Sequence, residues 1–141
     1  MKDRELDRKV ALGIMGWKVD VRPRKDLKDG STILHWQIEN PQGFWWDLEL
    51  PEKDAASAPP AWWCDPVNVP AYSADLRLAR EVLVKLEEAG WTAADPLGED
   101  PGELVLRRGA SESRFVIRSR REAPMVMCRA ALKAIEHARA K

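Results

Sequence analysis

The sequence predicts an α+β fold in which an antiparallel sheet of three to five strands is combined with three helices. Three segments place apolar residues at the i, i+3, i+4 spacing of a helix face, and the segments between them are short and rich in β-branched and aromatic residues. The chain has 141 residues, of which 45% are apolar, and this suits one domain of ordinary size with a core. The predicted order is α–(β-hairpin)–loop–α–β–β–β–α.

The first predicted helix covers residues 2–15. Leu6, Val10 and Ile14 form a narrow apolar stripe, and charged residues lie between them. Gly16 suits the left-handed position that ends many helices. We expect a short extended run after this stop and then a polar loop over residues 23–30.

A β-hairpin is predicted next. Thr32–Glu39 is rich in β-branched and aromatic residues, and Phe44–Glu49 reads as the returning strand. Asn40–Gly43 has the composition of a turn, with Pro at the second position and Gly at the fourth. Residues 51–71 contain five prolines, which predicts a long irregular loop; such loops often carry function.

The segment Pro70–Trp91 is the best-specified helix of the chain. Ser73 is predicted as its N-cap, and Asp75 adds favourable negative charge to the first turn. Apolar residues recur on one face from Leu76 onward. Gly90 is then predicted to end the helix.

The C-terminal part predicts three extended segments and a last helix. Trp91–Ala94, Glu103–Arg108 and Arg114–Arg120 are expected to pair as an antiparallel meander, and Asp95–Gly102 is rich in turn residues. Met125–Ala140 places apolar residues at helical spacing, and a proline just before it suits a first helical turn.

Composition excludes several classes of protein. The formal net charge is zero, which gives no global argument for a nucleic-acid or membrane partner. No apolar run approaches the roughly 20 residues of a membrane span, and the N-terminus does not resemble a signal peptide. Two cysteines make no disulfide framework, so we expect a cytoplasmic protein with reduced thiols. The charge is uneven: residues 29–75 carry one Lys and eight Asp or Glu, whereas residues 105–141 carry ten Lys or Arg and three Glu.

Three segments in order resemble the phage ABA-sandwich domain family, small phage and prophage proteins of unassigned activity. They are Met15-Gly16-Trp17, Pro70–Asp75 in its tryptophan-rich context, and Cys128–Leu132. The resemblance implies a phage setting, hence the cytoplasm of a bacterial host, and a sheet between helical layers. The expected fold is therefore a three-layer α/β/α sandwich with helices on both faces. We expect one domain, 1–141, in which a hairpin and loop at 31–69 look like an insertion. The resemblance implies no catalytic residue.

Candidate ligand-binding residues combine an aromatic loop, the start of the central helix and C-terminal arginines. Aromatic rings can stack on flat ligands, and arginines with a helix N-terminus can bind anions. An alternative for the tryptophans is that they seal the core, and for the arginines that they are solvated or paired with the acidic segment. The candidates are Trp62, Trp63, Tyr72, Ser73, Asp75, Arg114 and Arg118.

No catalytic residue and no metal site is predicted. His35, Cys64, Asp65 and His137 lack the spacing of converging ligands, and the sequence contains no serine elbow and no phosphate-binding glycine loop. An enzyme of unknown type stays open as the least favoured class, and we predict no cofactor.

The favoured function is a non-enzymatic phage or prophage accessory protein that binds a protein partner or ligand. The alternative is a binder of nucleotides or other small anions, which could sequester a host signalling molecule. We predict no membrane partner, we disfavour nucleic acid, and we leave homo-oligomers open.

Overall fold

The computed structural model describes residues 3–94 and 102–139, with four helices, a single 3-10 turn and six strands in these ranges. In chain order these are α1 Arg4–Gly13, β1 Lys18–Lys25, β2 Thr32–Glu39, β3 Trp45–Pro51, α2 Glu52–Ala55, a 3-10 helix Trp62–Cys64, α3 Leu76–Glu88, β4 Thr92–Ala94, β5 Gly102–Arg108, β6 Ser111–Ile117 and α4 Ala123–Arg139.

The four helices and the antiparallel strands confirm the predicted α+β class. The chain divides into two compact units, and the predicted three-layer sandwich is not confirmed. Residues 1–15 and 70–141 form the terminal unit, and residues 16–69 form the central unit. Each unit contains one three-stranded sheet, with strand order β1-β2-β3 in the central unit and β4-β5-β6 in the terminal unit. The single sheet between two helical layers is not confirmed, because the strands belong to two separate sheets. The central unit contains the segment 31–69 and also β1.

Helix α1 begins at an acidic cap and ends at a glycine. The Asp3 carboxylate accepts a hydrogen bond from the Leu6 N–H, at 3.1 Å. At the other end the N–H groups of Ile14 and Met15 both donate to the Val10 carbonyl, and Gly16 has φ +85°. The left-handed φ expected of Gly16 is confirmed, but the prediction that it directly follows the helix is wrong, because α1 ends at Gly13 with Ile14 as its C-cap. Residue 2 lies outside the described residues.

The predicted N-cap of α3 is wrong: Asp75 caps the helix instead of Ser73. The Asp75 carboxylate accepts from the backbone N–H groups of Arg77 and Leu78, at 2.9 and 3.5 Å. Ser73 lies in the preceding turn, in which the N–H groups of Ala74 and Asp75 both donate to the Ala71 carbonyl. The favourable first-turn charge predicted for Asp75 is therefore the cap itself.

The predicted end of α3 is confirmed. Gly90 has φ +98°, a conformation that an L side chain rarely adopts. The Trp91 N–H reaches back to the Leu86 carbonyl at 3.0 Å, and the Trp91 side chain is buried. This backbone reversal and its apolar cover are the elements of a Schellman-type end.

The sheet of the terminal unit is the predicted antiparallel meander, but its third strand was predicted at Arg114–Arg120 and covers Ser111–Ile117 instead. Leu104 and Leu106 of β5 are buried, while Glu103 and Arg107 alternate with them on the exposed face. Helix α4 packs on β5 and β6 and also contacts α1 and α3. The helices of this unit therefore lie over one face of the sheet. The predicted turn at 95–101 and residue 140 lie outside the described residues.

The central unit confirms the hairpin and corrects its flanks. Strand β2 has the predicted bounds, and Gly43 has φ +89° in the predicted turn. Strand β1 continues to Lys25, so the prediction of a loop from residue 23 is wrong. A proline is tolerated at that position because β1 is an edge strand and needs fewer N–H donors. The long loop after β3 contains the short helix α2 and the 3-10 helix.

A buried carboxylate joins α1 to the turn before α3. Asp7 is fully buried; one carboxylate oxygen accepts from the Ser73 N–H at 2.8 Å and the other from the Arg4 guanidinium at 2.9 Å. Ser73 also exchanges hydrogen bonds with the Asp3 backbone: its hydroxyl accepts from the N–H at 2.9 Å and donates to the carbonyl at 3.2 Å. These bonds hold segments that are about seventy residues apart in sequence.

We predict that Asp7→Ala lowers the free energy of unfolding by about 3 kcal/mol, because the Ser73 N–H is left buried without an acceptor and Arg4 loses a charged partner. Denaturant titration followed by circular dichroism measures this change. Asp7→Asn is the control, since its amide oxygen can still accept from Ser73 and should retain part of the stability. A loss of unfolding free energy below about 0.5 kcal/mol in Asp7→Ala would contradict the stabilising role of the Asp7 carboxylate.

Candidate functional site

The predicted ligand-binding residues are divided between the two units. Trp62 and Trp63 belong to the central unit, and Tyr72, Ser73, Asp75, Arg114 and Arg118 belong to the terminal unit. Each set is therefore described within its own unit, and a joint site remains a prediction.

Most tryptophans of the central unit pack on one another. Trp62 meets Trp36 edge-to-face with ring centroids 5.6 Å apart, and Trp17 stacks on Trp46 at 5.9 Å. Trp63 is only 1% exposed. These contacts favour the core-sealing alternative for the aromatic residues.

Two neighbouring aromatic residues of this unit face solvent. Phe44 and Trp45, at the tip of the hairpin, are 66% and 58% exposed. Trp36, which the sequence argument did not single out, has a buried indole N–H without an acceptor among the described residues.

The candidate residues at the start of α3 form hydrogen bonds or pack inside the terminal unit. Tyr72 and Ser73 are buried, and Ser73 bonds to Asp3 and Asp7. Asp75 holds the first turn of α3. The described contacts of these residues are those of a structural turn.

Two of the C-terminal arginines, Arg107 and Arg114, are paired with carboxylates of their own sheet. Arg114 donates to Glu103 at 2.7 Å and to Glu112 at 3.3 Å, and Arg107 also pairs with Glu112. The hydrogen bond from Arg107, followed by that from Arg114, lowers the pKa of the Glu112 carboxyl. Hydrogen bonds to Glu103 and then Glu112 raise the pKa of the Arg114 guanidinium. Glu103 and Glu112 of the same sheet therefore serve as the ion-pair partners of Arg107 and Arg114. Arg118 lies just beyond β6 and is exposed.

A groove of about 690 Å³ runs between α1, α4 and strand β6 of the terminal unit. We call it the β6 groove. Its lining residues are Asp3, Glu5, Leu6, Lys9, Arg114, Phe115, Val116, Val126, Arg129, Leu132, Lys133 and Glu136.

The β6 groove combines an apolar floor with charged walls. Leu6 is buried, and Phe115, Val126 and Leu132 are half-buried, so these side chains present apolar surface inside the groove. Such a mixture of apolar surface and a few charges is typical of binding clefts.

Three cations of the groove are available for a ligand. Lys9 on α1 and Arg129 and Lys133 on α4 are exposed, and none of them makes an ion pair with a described residue. By contrast, Glu5 is engaged by Arg8 at 2.7 Å. The groove therefore has unused positive charge on both helical walls, although the whole chain is neutral.

The side chains that could bind a metal ion or act as nucleophiles are separated from one another in the part of the chain that the structure describes. Within the ranges 3–94 and 102–139, no three His, Cys, Asp or Glu side chains are placed to hold a metal ion. His35 and Asp47 form an exposed pair at 3.1 Å on the hairpin. Burial, followed by the charge of Asp7, raises the pKa of the Cys128 thiol to about 12, so this cysteine is protonated at neutral pH and is a poor nucleophile.

Comparisons with protein-family models, with curated proteins and with solved structures found no match to this chain. Among the described helices, none is long and apolar enough to cross a membrane.

The sequence predicts only a small part of the β6 groove. Of the residues that line it, only Arg114 is among the candidate ligand-binding residues, because arginine charge stands out in a sequence. Local sequence does not connect Arg114 with Lys9 or Leu6, which are more than a hundred residues away. The sequence signal for these walls is that helices α1 and α4 carry charged residues next to their apolar faces, and this signal does not show that the two helices line the same groove.

We predict that the stability contributed by Cys128 falls as the pH rises above the ordinary thiol pKa of 9.0 toward the native value of about 12. In this interval the unfolded chain loses the thiol proton and the native chain keeps it, so higher pH favours unfolding. The difference in unfolding free energy between the wild type and Cys128→Ala should shrink by about 2 kcal/mol between about pH 8 and about pH 10.5. A pH-independent difference would show that the thiol titrates normally.

Proposed function

We propose that the protein is a non-enzymatic binding module whose site is the β6 groove. The observation that carries this proposal is the coincidence of an apolar floor with unpaired cations on both helical walls. Its volume of about 690 Å³ suits a peptide segment or a small molecule. Nothing in the described lining supplies a nucleophile with a base beside it, which favours binding over catalysis.

The favoured ligand is a segment of a protein partner. The four apolar floor residues, Leu6, Phe115, Val126 and Leu132, lie along one strand and two helices. Elongated apolar surface of this kind suits side chains that protrude from a peptide, and the flanking charges would fix its orientation. The resemblance to the phage ABA-sandwich family adds the proposal that the protein acts as a phage or prophage accessory protein in the bacterial cytoplasm.

A second candidate function is the binding of a small anion such as a nucleotide. It is favoured by Lys9, Arg129 and Lys133, which can supply donors to phosphate oxygens. It is opposed by Glu136 and Asp3 in the same lining, which would repel a multiply charged ligand.

We predict that the double variant Arg129→Glu/Lys133→Glu loses the partners that the wild type captures from a lysate, because it reverses the charge of one groove wall. Captured proteins are compared by quantitative mass spectrometry. The matched control is Arg77→Glu/Arg121→Glu, which makes the same change in net charge on other exposed residues. Equal capture by both variants would contradict the placement of the site.

For the second candidate, a nucleotide at about 100 times its dissociation constant should stabilise the wild type by about 2.7 kcal/mol. Thermal unfolding in the presence of millimolar nucleotides detects this as a raised Tm. The rise should vanish in Arg129→Glu/Lys133→Glu and persist in Arg77→Glu/Arg121→Glu. An unchanged Tm in the wild type would exclude the small-anion candidate and leave the partner-binding proposal intact.

A further inference from the structure

The third lining element of the groove is the edge of a sheet. Strand β6 pairs with β5 on one side, and in the part of the chain that the structure describes no strand pairs with its other side. An unpaired strand edge presents a row of backbone N–H and C=O groups that another strand can use.

The register indicates which residues of β6 carry these outward groups. A two-residue turn at Gly109 and Ala110 joins the strands, and Arg108 faces Ser111 across it. A turn of this length closes with a hydrogen-bonded pair, and hydrogen-bonded and non-hydrogen-bonded pairs then alternate along the ladder.

The backbone groups of Glu112, Arg114 and Val116 therefore point away from β5. Arg114 and Val116 also line the β6 groove. The unpaired edge of β6 therefore forms one side of the β6 groove. An extended segment bound in the groove would lie beside β6, in the position of a neighbouring strand.

The geometry points to β-strand addition: we propose that the β6 groove binds an extended segment of a partner protein whose helix-facing side chains are apolar and acidic. This inference rests on the proposed function and specifies its ligand. Alternate side chains of an added strand point to opposite faces. Its apolar residues would contact Phe115 and the helical floor, whereas main-chain bonds to β6 would supply affinity without regard to sequence.

The charges of the groove select the acidic residues. Lys9, Arg129 and Lys133 line the helical walls and make no ion pair with a described residue, so they lie toward the same face of an added strand as the apolar floor. Arg114 lies toward the opposite, open face and is already paired with Glu103 and Glu112. The three cations of the helical walls favour carboxylates among the side chains that the partner segment turns toward the helices. Nucleic acid fits less well, because Glu5 and Glu136 line the same groove and would face its phosphates.

Selection from a displayed library of random peptides of about ten residues, the upper range of strand length, tests the ligand class. We expect enrichment of peptides that carry apolar and acidic residues together at every second position, the positions that face the helices. Enrichment of basic peptides, or no enrichment over an uncoated surface, would overturn the proposal.

A proline variant tests the binding mode with the selected peptides. Val116→Pro removes an outward N–H and leaves the bonds to β5 intact, so affinity should fall at least about tenfold. Val116→Thr, which keeps the N–H and the branched shape, should bind within about twofold. Unchanged affinity in the proline variant would overturn strand addition.

Amide hydrogen exchange of the wild type tests the same mode without a variant that could fail to fold. Bound peptide should protect the N–H groups of Glu112, Arg114 and Val116; binding without this protection would overturn the inference. The proposed function fails separately, if Arg129→Glu/Lys133→Glu retains full binding while Arg77→Glu/Arg121→Glu behaves like the wild type. A concentration-dependent dimer that Val116→Pro abolishes would assign the edge to a second copy and contradict a partner peptide.

Discussion

The terminal unit depends on one buried carboxylate. Asp7 accepts from the Ser73 N–H and from Arg4, and through these bonds the N-terminal helix is held against the turn that leads into α3. Because α1 also packs on α4, the position of one wall of the β6 groove follows from this carboxylate. The same charge adds to the burial that keeps Cys128 protonated. Stability and the shape of the proposed site are thus coupled through Asp7.

Strong local signals were sufficient for most of the elements. The glycines at 16, 43 and 90 all have the positive φ expected of them, because glycine has no Cβ and adopts this backbone conformation without strain. Strand β2 has the predicted bounds, since β-branched and aromatic residues, in which it is rich, fit a pleated sheet. The choice between Ser73 and Asp75 could not be made locally, since both side chains can cap a helix. The Ser73 hydroxyl is instead engaged by the backbone N–H and carbonyl of Asp3, far along the chain, and this leaves the cap to Asp75.

The site could be predicted only in part because it is formed by non-local packing. Arg114 was identified by its charge, but Glu103 and Glu112 neutralise it across the sheet, and this depends on the strand register. The cations that remain unpaired in the groove lie on the helices. The free edge of β6 follows from the topology of a three-stranded meander, which no property of an individual residue reveals.

The most direct test of this account is amide hydrogen exchange along β6 in the unbound protein. If the edge is free, the N–H groups of Glu112, Arg114 and Val116 exchange fast, whereas those of Ser113 and Phe115, which face β5, are protected. Protection of all five amides would show that the edge is already covered, and it would contradict the assignment of the β6 groove as an open binding site.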